Sequence, residues 1–143
     1  MSKIILVMGL PTSGKTFLSL ELTKILNAYW LNNDNVRKDT GDWDFSLEGR
    51  LRQAKRMSIL SNERKKTGKI VVADFVCPTR ETRKIFNPDY IVWMNTIKKS
   101  LHEDTNLLFE PPLNEKIHFI VKEKNAEFYS KKIAEDFKKI FSI

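Results

Sequence analysis

The residues Gly9-Leu10-Pro11-Thr12-Ser13-Gly14-Lys15-Thr16 satisfy the pattern G-x-x-x-x-G-K-[ST] without a departure. Such a loop works between a strand and a helix, and the flanking sequence supplies both. Before it, Ile4-Ile5-Leu6-Val7-Met8 is a short apolar run suited to a strand buried on both faces of a parallel sheet. After it, Phe17 to Leu26 carries apolar residues at helical spacing. Gly9 and Gly14 free the backbone to curl its N–H groups around a phosphate at a helix N-terminus, where unpaired donors and the helix dipole favour an anion. Pro11, Thr12 and Ser13 complete the loop, Lys15 reaches the β- and γ-phosphates, and the Thr16 hydroxyl is placed to ligate Mg²⁺. ATP and Mg²⁺ are the cofactors this loop implies.

A chain of 143 residues has room for one core, so a single domain over 1–143 is expected. Hydrophobic content of 41% and charged content of 30% fit an ordinary globular domain and do not indicate disorder. With Cys77 alone there is no internal disulfide, and the two histidines make no zinc site, so a reducing cytoplasm is the natural compartment. Ile4 to Leu10 is at the lower limit for a signal-peptide core and runs straight into the phosphate loop; no apolar run is long enough to span a membrane.

The net charge of +7 suggests an anionic partner. Every arginine falls in the middle of the chain, at Arg37, Arg50, Arg52, Arg56, Arg64, Arg80 and Arg83, while the later basic residues are lysines or histidines. Arginine's planar fork suits phosphate and sulfate, so these arginines read as a binding set and the lysines as surface. Nucleic acid stays open as a partner, but no aromatic-interleaved basic motif supports it.

Along the chain, Ala28 to Leu31 reads as a second strand. The polar cluster Asn32 to Arg37 follows, facing the crevice beyond the strand ends, with Asp34 as a helix cap, a ligand, or both. Asp39 to Ser46 reads as a turn-rich segment whose Trp43 and Phe45 either pin it to the core or offer a stacking platform for a planar base. A long helix is expected from Leu47 to Lys66 with Leu51, Ala54, Met57, Ile59 and Leu60 as its apolar stripe. Ile70 to Asp74 is a third strand ending in an acid that either holds Mg²⁺ through water or caps the next loop. Then come a loop over Phe75 to Arg80, a short helix over Glu81 to Phe86, strands over Tyr90 to Met94 and Lys116 to Val121, and a final helix over Ala126 to Phe141. That helix is expected to turn Phe128, Ile133, Phe137, Ile140 and Phe141 inward. His118 reads as a strand residue with a satisfied ring, and His102 as a loop residue. Alternating strands and helices predict an α/β fold, a doubly wound five-stranded parallel sheet with helices on both faces.

The blocks Trp30 to Arg37, Asp44-Phe45-Ser46 with Arg50, Phe75 to Arg80, and Phe109-Glu110-Pro111-Pro112, in that order behind the phosphate loop, resemble the adenylylsulfate kinase family of P-loop kinases. Members phosphorylate the 3′-hydroxyl of adenosine 5′-phosphosulfate with ATP and Mg²⁺, and commonly dimerise. The resemblance implies that Asp34 is the acid near the attacking hydroxyl and metal, that Arg37 and Arg50 bind the acceptor's phosphosulfate, and that Phe45 stacks on its adenine. Gln53 would stand where the family usually has asparagine, and Phe75 would join the acceptor set. Catalysis would then rest on Lys15, Asp34 and Asp74, with metal held at Thr16, Asp34 and Asp74. Three departures stand out: Asn32 replaces the first of two aspartates, Cys77 replaces a serine, and the segment before Phe109 is much shorter than the family's lid, keeping only Lys98, Lys99 and His102 to approach a phosphoryl group. A kinase of another acceptor, such as a nucleoside, nucleotide or polynucleotide end, is the alternative, and a non-catalytic nucleotide-binding regulator the second. Asp74, at a position where the family more often has serine, is expected to supply the charge missing at Asn32.

Overall fold

A computed structural model of the chain describes residues 2–143. Its elements run β1 (Ile4–Met8), α1 (Lys15–Leu26), β2 (Tyr29–Asn32), α2 (Asn33–Thr40), α3 (Leu47–Lys65), β3 (Val71–Asp74), α4 (Arg80–Phe86), β4 (Tyr90–Met94), α5 (Glu103–Leu108), β5 (Phe119–Val121) and α6 (Ala126–Phe141). The strands form one parallel sheet in the order β2-β3-β1-β4-β5. This is the expected doubly wound α/β architecture.

Alternation along β1 explains why its sequence is apolar throughout. Ile5 and Val7 point to one face, where Leu18, Leu22 and Leu26 of α1 and Ile133, Ala134 and Phe137 of α6 cover them. Ile4, Leu6 and Met8 point to the other, against Ala54 and Met57 of α3 and Phe86 of α4. A strand sandwiched between two helical layers has no solvent side on which a polar residue could sit.

Several local expectations are corrected. Asn32 caps α2, its Oδ1 accepting from the Asn35 N–H at 3.1 Å; Asp34 lies inside the first turn and caps nothing. Asp39 and Thr40 are helical, so the loop shrinks to Gly41–Ser46. Ile59 is exposed, and α3 buries Arg50, Gln53 and Ser61 beside Ala54 and Met57 instead. Phe128 and Ile140 are half exposed on α6, whereas Ile133 and Phe137 are inward as expected. His118 precedes β5 by one residue, but its ring is satisfied: Nδ1 accepts from the Ile91 N–H at 3.0 Å. Residues 103–108, expected as loop, form α5, with His102 at its N-cap position.

Candidate active site

The phosphate loop leaves the carboxyl end of β1 at the centre of the sheet, where the crevice of an open α/β fold lies. Its shape depends on glycine: a Cβ on Gly9, at φ 151°, would come 2.7 Å from the Met94 carbonyl oxygen and 2.9 Å from Ser13 Oγ. Gly14 and Thr12 also take positive φ, 100° and 65°. Thr96, just beyond β4, braces the loop by donating its hydroxyl to the Ser13 carbonyl at 2.7 Å. Lys15 Nζ donates to the Leu10 carbonyl at 2.9 Å. Burial pushes the Lys15 pKa down to about 8, against the opposing pull of Asp74 and Asp34. A lysine so desolvated gains from an incoming anion, which offsets the cost of keeping its charge.

A single cavity of 640 Å³ is lined by Pro11, Thr12, Lys15 and Thr16 of the loop, and it also receives Asp34, Arg37, Phe45, Arg50, Gln53, Asp74 and Phe75. Gly9, Ser13 and Gly14 shape the loop from beneath and do not line it. The cradle fits a nucleotide phosphate, and the Thr16 hydroxyl and the carboxylates of Asp34 and Asp74 line the same cavity, oxygen donors of the kind that Mg²⁺ takes.

Asp74 does not cap the following loop. Strands β2 and β3 pair in register with Asn32 opposite Asp74, so these two side chains share a face. The Asn32 Nδ2 group donates to Asp74 Oδ1 at 3.1 Å, and Trp30 Nε1 donates to Oδ2 at 2.6 Å. Asp74 is 3% exposed, and burial raises its pKa while Trp30 and Lys15 act in the opposite sense.

The other wall is built around an aromatic. Phe45 lies under two guanidinium groups, 4.6 Å from Arg37 and 5.2 Å from Arg50, yet 47% of it stays exposed. Arg37 is buried and donates to the backbone carbonyls of Asp42 and Asp44, with its Nε unpartnered; burial lowers its pKa. Arg50 donates to the Phe45 carbonyl at 3.1 Å and to Thr105 Oγ1 of α5 at 2.7 Å. Gln53 Nε2 donates to Asn33 Oδ1 at 2.8 Å, fixing α3 to the start of α2. Phe75 is buried edge-on against Phe86, so only a sliver of it reaches the cavity.

The central arginines are not one binding set. Only Arg37 and Arg50 line the cavity; Arg52 and Arg56 pair with Asp42, Arg64 covers the Tyr29 ring, and Arg83 is buried on Glu115 and the carbonyls of Cys77 and Glu110. Glu110, within the Phe109-Glu110-Pro111-Pro112 block, accepts from the Arg80 N–H and so serves the start of α4. Lys98 and Lys99 are exposed and stand outside the lining, which instead takes Leu101, His102, Glu103, Asp104 and Thr105. Sequence reasoning missed Trp30, Thr96 and Thr105, because none belongs to a charged or glycine-rich pattern.

The model of the adenylylsulphate kinase family matches residues 1–101. This chain belongs to the adenylylsulphate kinase family. It is a family of ATP-dependent phosphotransferases, and the matched region of this member holds the phosphate loop, both acids and the arginine-flanked Phe45. A curated relative, the bifunctional enzyme NodQ of Rhizobium meliloti (strain 1021), is 34% identical over 83 residues, covering 54% of this chain; the chain spans 13% of the length of that protein. In fold the chain is similar to the Mycobacterium tuberculosis APS kinase CysC, solved with AMPPNP and APS, at TM-score 0.80, 18% identity and coverage of 96% and 98% of the two chains. It is also similar to shikimate kinase from Acinetobacter baumannii in complex with shikimate, at TM-score 0.59, 18% identity and coverage of 99% and 94%. Among the described residues no helix is long and apolar enough to cross a membrane.

Proposed function

We propose that this family member, as a single domain over 1–143, transfers the γ-phosphate of ATP to a hydroxyl of a small nucleotide-type acceptor, with adenosine 5′-phosphosulfate the first choice. One observation carries the reading: the half-exposed Phe45, flanked by Arg37 and Arg50, shares a cavity with the phosphate loop. An aromatic face suits adenine, and a guanidinium beside it suits a phosphate or sulfate.

Phosphoryl transfer asks mainly for positioning and charge stabilisation. In this reading Lys15 and the loop N–H groups hold the donor phosphates, Asp34 orients the acceptor hydroxyl and accepts its proton, and Phe45 with Arg37 and Arg50 sets the acceptor's register. Thr16, Asp34 and Asp74 would hold Mg²⁺, which supplies charge neutralisation at the phosphate oxygens when bound. The buried walls around Asp74 and Phe75 limit water near the reacting groups.

A second reading is favoured by one feature: the short lid lines the cavity with Glu103 and Asp104 and leaves Lys98 and Lys99 outside. Two acids near the acceptor wall disfavour a multiply charged anion and suit a less anionic hydroxyl compound. The deciding experiment supplies labelled ATP and Mg²⁺ and compares transfer to adenosine 5′-phosphosulfate, AMP, nucleosides, a 5′-hydroxyl oligonucleotide, shikimate and neutral sugars. Preferred transfer to adenosine 5′-phosphosulfate supports the first reading, and preferred transfer to an uncharged acceptor overturns it. Self-association as a homodimer, the habit of the family, is a separate proposal for sedimentation analysis.

A further inference from the structure

Asp74 is held in an unusual way for a carboxylate so close to a phosphate-loop lysine. Both of its oxygens are occupied by donors from one edge strand, Oδ2 by the Trp30 indole at 2.6 Å and Oδ1 by the Asn32 amide at 3.1 Å. Trp30 and Asn32 stand two residues apart on β2 and therefore on one face of the sheet, the face that carries Asp74 at the end of β3. In a water-poor pocket an ammonium and a carboxylate attract strongly and tend to collapse into a pair. Here Lys15 forms no ion pair among the described residues and donates to the Leu10 carbonyl instead. Asn32 is itself fixed, because its other amide atom caps α2, the helix that carries Asp34 and Arg37.

We infer that Trp30 is a positioning residue: with Asn32 it clamps the Asp74 carboxylate at the nucleotide end of the cavity and keeps it from neutralising Lys15. The inference rests on the assignment of Asp74 to the Mg²⁺–nucleotide end of the site. Trp30 contacts no reacting group; its effect runs through Asp74 alone. An indole N–H is a donor that cannot accept, so toward it the acid acts only as an acceptor, and its direction fixes the carboxylate oxygen it meets. Its bulky ring, half buried on the edge strand, fixes the direction of that donor more firmly than a flexible side chain would.

The test is a double-mutant cycle on binding, without turnover. Affinity for ATP with Mg²⁺, and no acceptor present, is measured by titration calorimetry for wild type, Trp30→Phe, Asp74→Asn and the double mutant. Phenylalanine keeps an aromatic ring and removes the donor. Trp30→Phe is expected to weaken binding about tenfold in the wild-type background, the scale of one hydrogen bond to a charged group, and to have no effect once Asp74 is Asn. Indole ¹⁵N–¹H spectra give a second readout: of the signals from Trp30, Trp43 and Trp93, the one lost in Trp30→Phe is expected to move upfield in Asp74→Asn. Equal losses in both backgrounds, no loss in either, or an indole signal indifferent to Asp74→Asn overturns the proposal. Unchanged affinity in Asp74→Asn with a displaced indole signal overturns it too, and locates the failure in the nucleotide role of Asp74 and not in the contact with Trp30.

Discussion

The Asn32 amide stands 3.1 Å from Oδ1 of Asp74, across two strands paired in register. A carboxylate and an amide at this distance can exchange identities without changing shape. Asp74→Asn is therefore expected to lower kcat and weaken the dependence on Mg²⁺, and Asn32→Asp in that background to restore part of both. Asn32→Asp alone is expected to be harmful, because two carboxylates at hydrogen-bond distance cannot both stay ionised. A double mutant no better than Asp74→Asn, read by Mg²⁺ titration of the transfer rate, refutes the exchange.

Lys15→Ala is expected to cut phosphoryl transfer by at least about a hundredfold, the scale for a charged group at a transferring phosphoryl. The unliganded fold should stay intact and melt no lower than wild type at pH 7. The sign of its pH dependence follows from burial: the folded pKa of about 8 lies below the ordinary 10.5, so the folded chain binds fewer protons between those values. Wild type carries the full penalty of a desolvated cation below pH 8 and sheds it as pH rises toward 10.5. The melting temperature of Lys15→Ala, compared with wild type, is accordingly most favourable near pH 7 and loses ground above pH 8. A difference that runs the other way removes burial as the cause.

The sequence disclosed what periodicity and backbone chemistry encode. The phosphate loop, the parallel sheet and the bounds of β1, β4 and α6 were legible because each sits in a run whose pattern has a single physical reading. Asp74 was expected to supply the charge missing at Asn32, which needs the two residues near one another, but the register of β2 against β3 that sets them directly opposite was not legible. Long-range side-chain geometry was not legible. Arg83 and Arg50 have the same side chain, yet one is buried on Glu115 and the other lines the cavity; nothing local to either distinguishes them. Trp30 looked like an ordinary strand residue, since its role depends on an acid 44 positions away. Helix α5 was missed because its six residues lack a capping side chain.

Arg37→Ala and Arg50→Ala are expected to raise the acceptor KM about ten- to a hundredfold while moving the ATP KM little, the loss of one charge-assisted contact. Arg37→Ala should also destabilise the fold, because the guanidinium ties the Asp42 and Asp44 carbonyls while fully buried. Thr105→Val removes the α5 partner of Arg50 and keeps the shape, so it separates the anchoring of the guanidinium from its charge. If ATP affinity falls and acceptor affinity holds, these arginines serve the donor.

Cys77 borders the cavity yet is 1% exposed, and burial pushes its thiol up to about 12. The thiolate is the reactive form, so iodoacetamide at pH 8 is expected to leave the native protein unlabelled and to label it once denatured. Rapid native labelling, followed by mass spectrometry, contradicts a buried thiol.

Gly49 lies in the first turn of α3, where alanine ordinarily stabilises a helix by about 0.5–1 kcal/mol. The opposite is expected here. A Cβ at Gly49 would run into the backbone oxygen and side-chain carbons of Asp44. Asp44 cannot yield easily: its carboxylate accepts from the Ser46 N–H, its carbonyl receives Arg37, and Ser46 caps α3 through the Gly49 N–H itself. Gly49→Ala must therefore push Asp44 away from α3, and with it Phe45, the next residue and the centre of the wall proposed to receive the acceptor. The phosphate loop, on another strand, is untouched. Gly49→Ala is expected to lower the melting temperature and raise the acceptor KM several-fold, by about 1 kcal/mol or more of lost contact, with ATP affinity near wild type. A stabilised mutant with an unchanged acceptor KM would mean that the loop yields freely and that the place of Phe45 does not depend on its packing against α3.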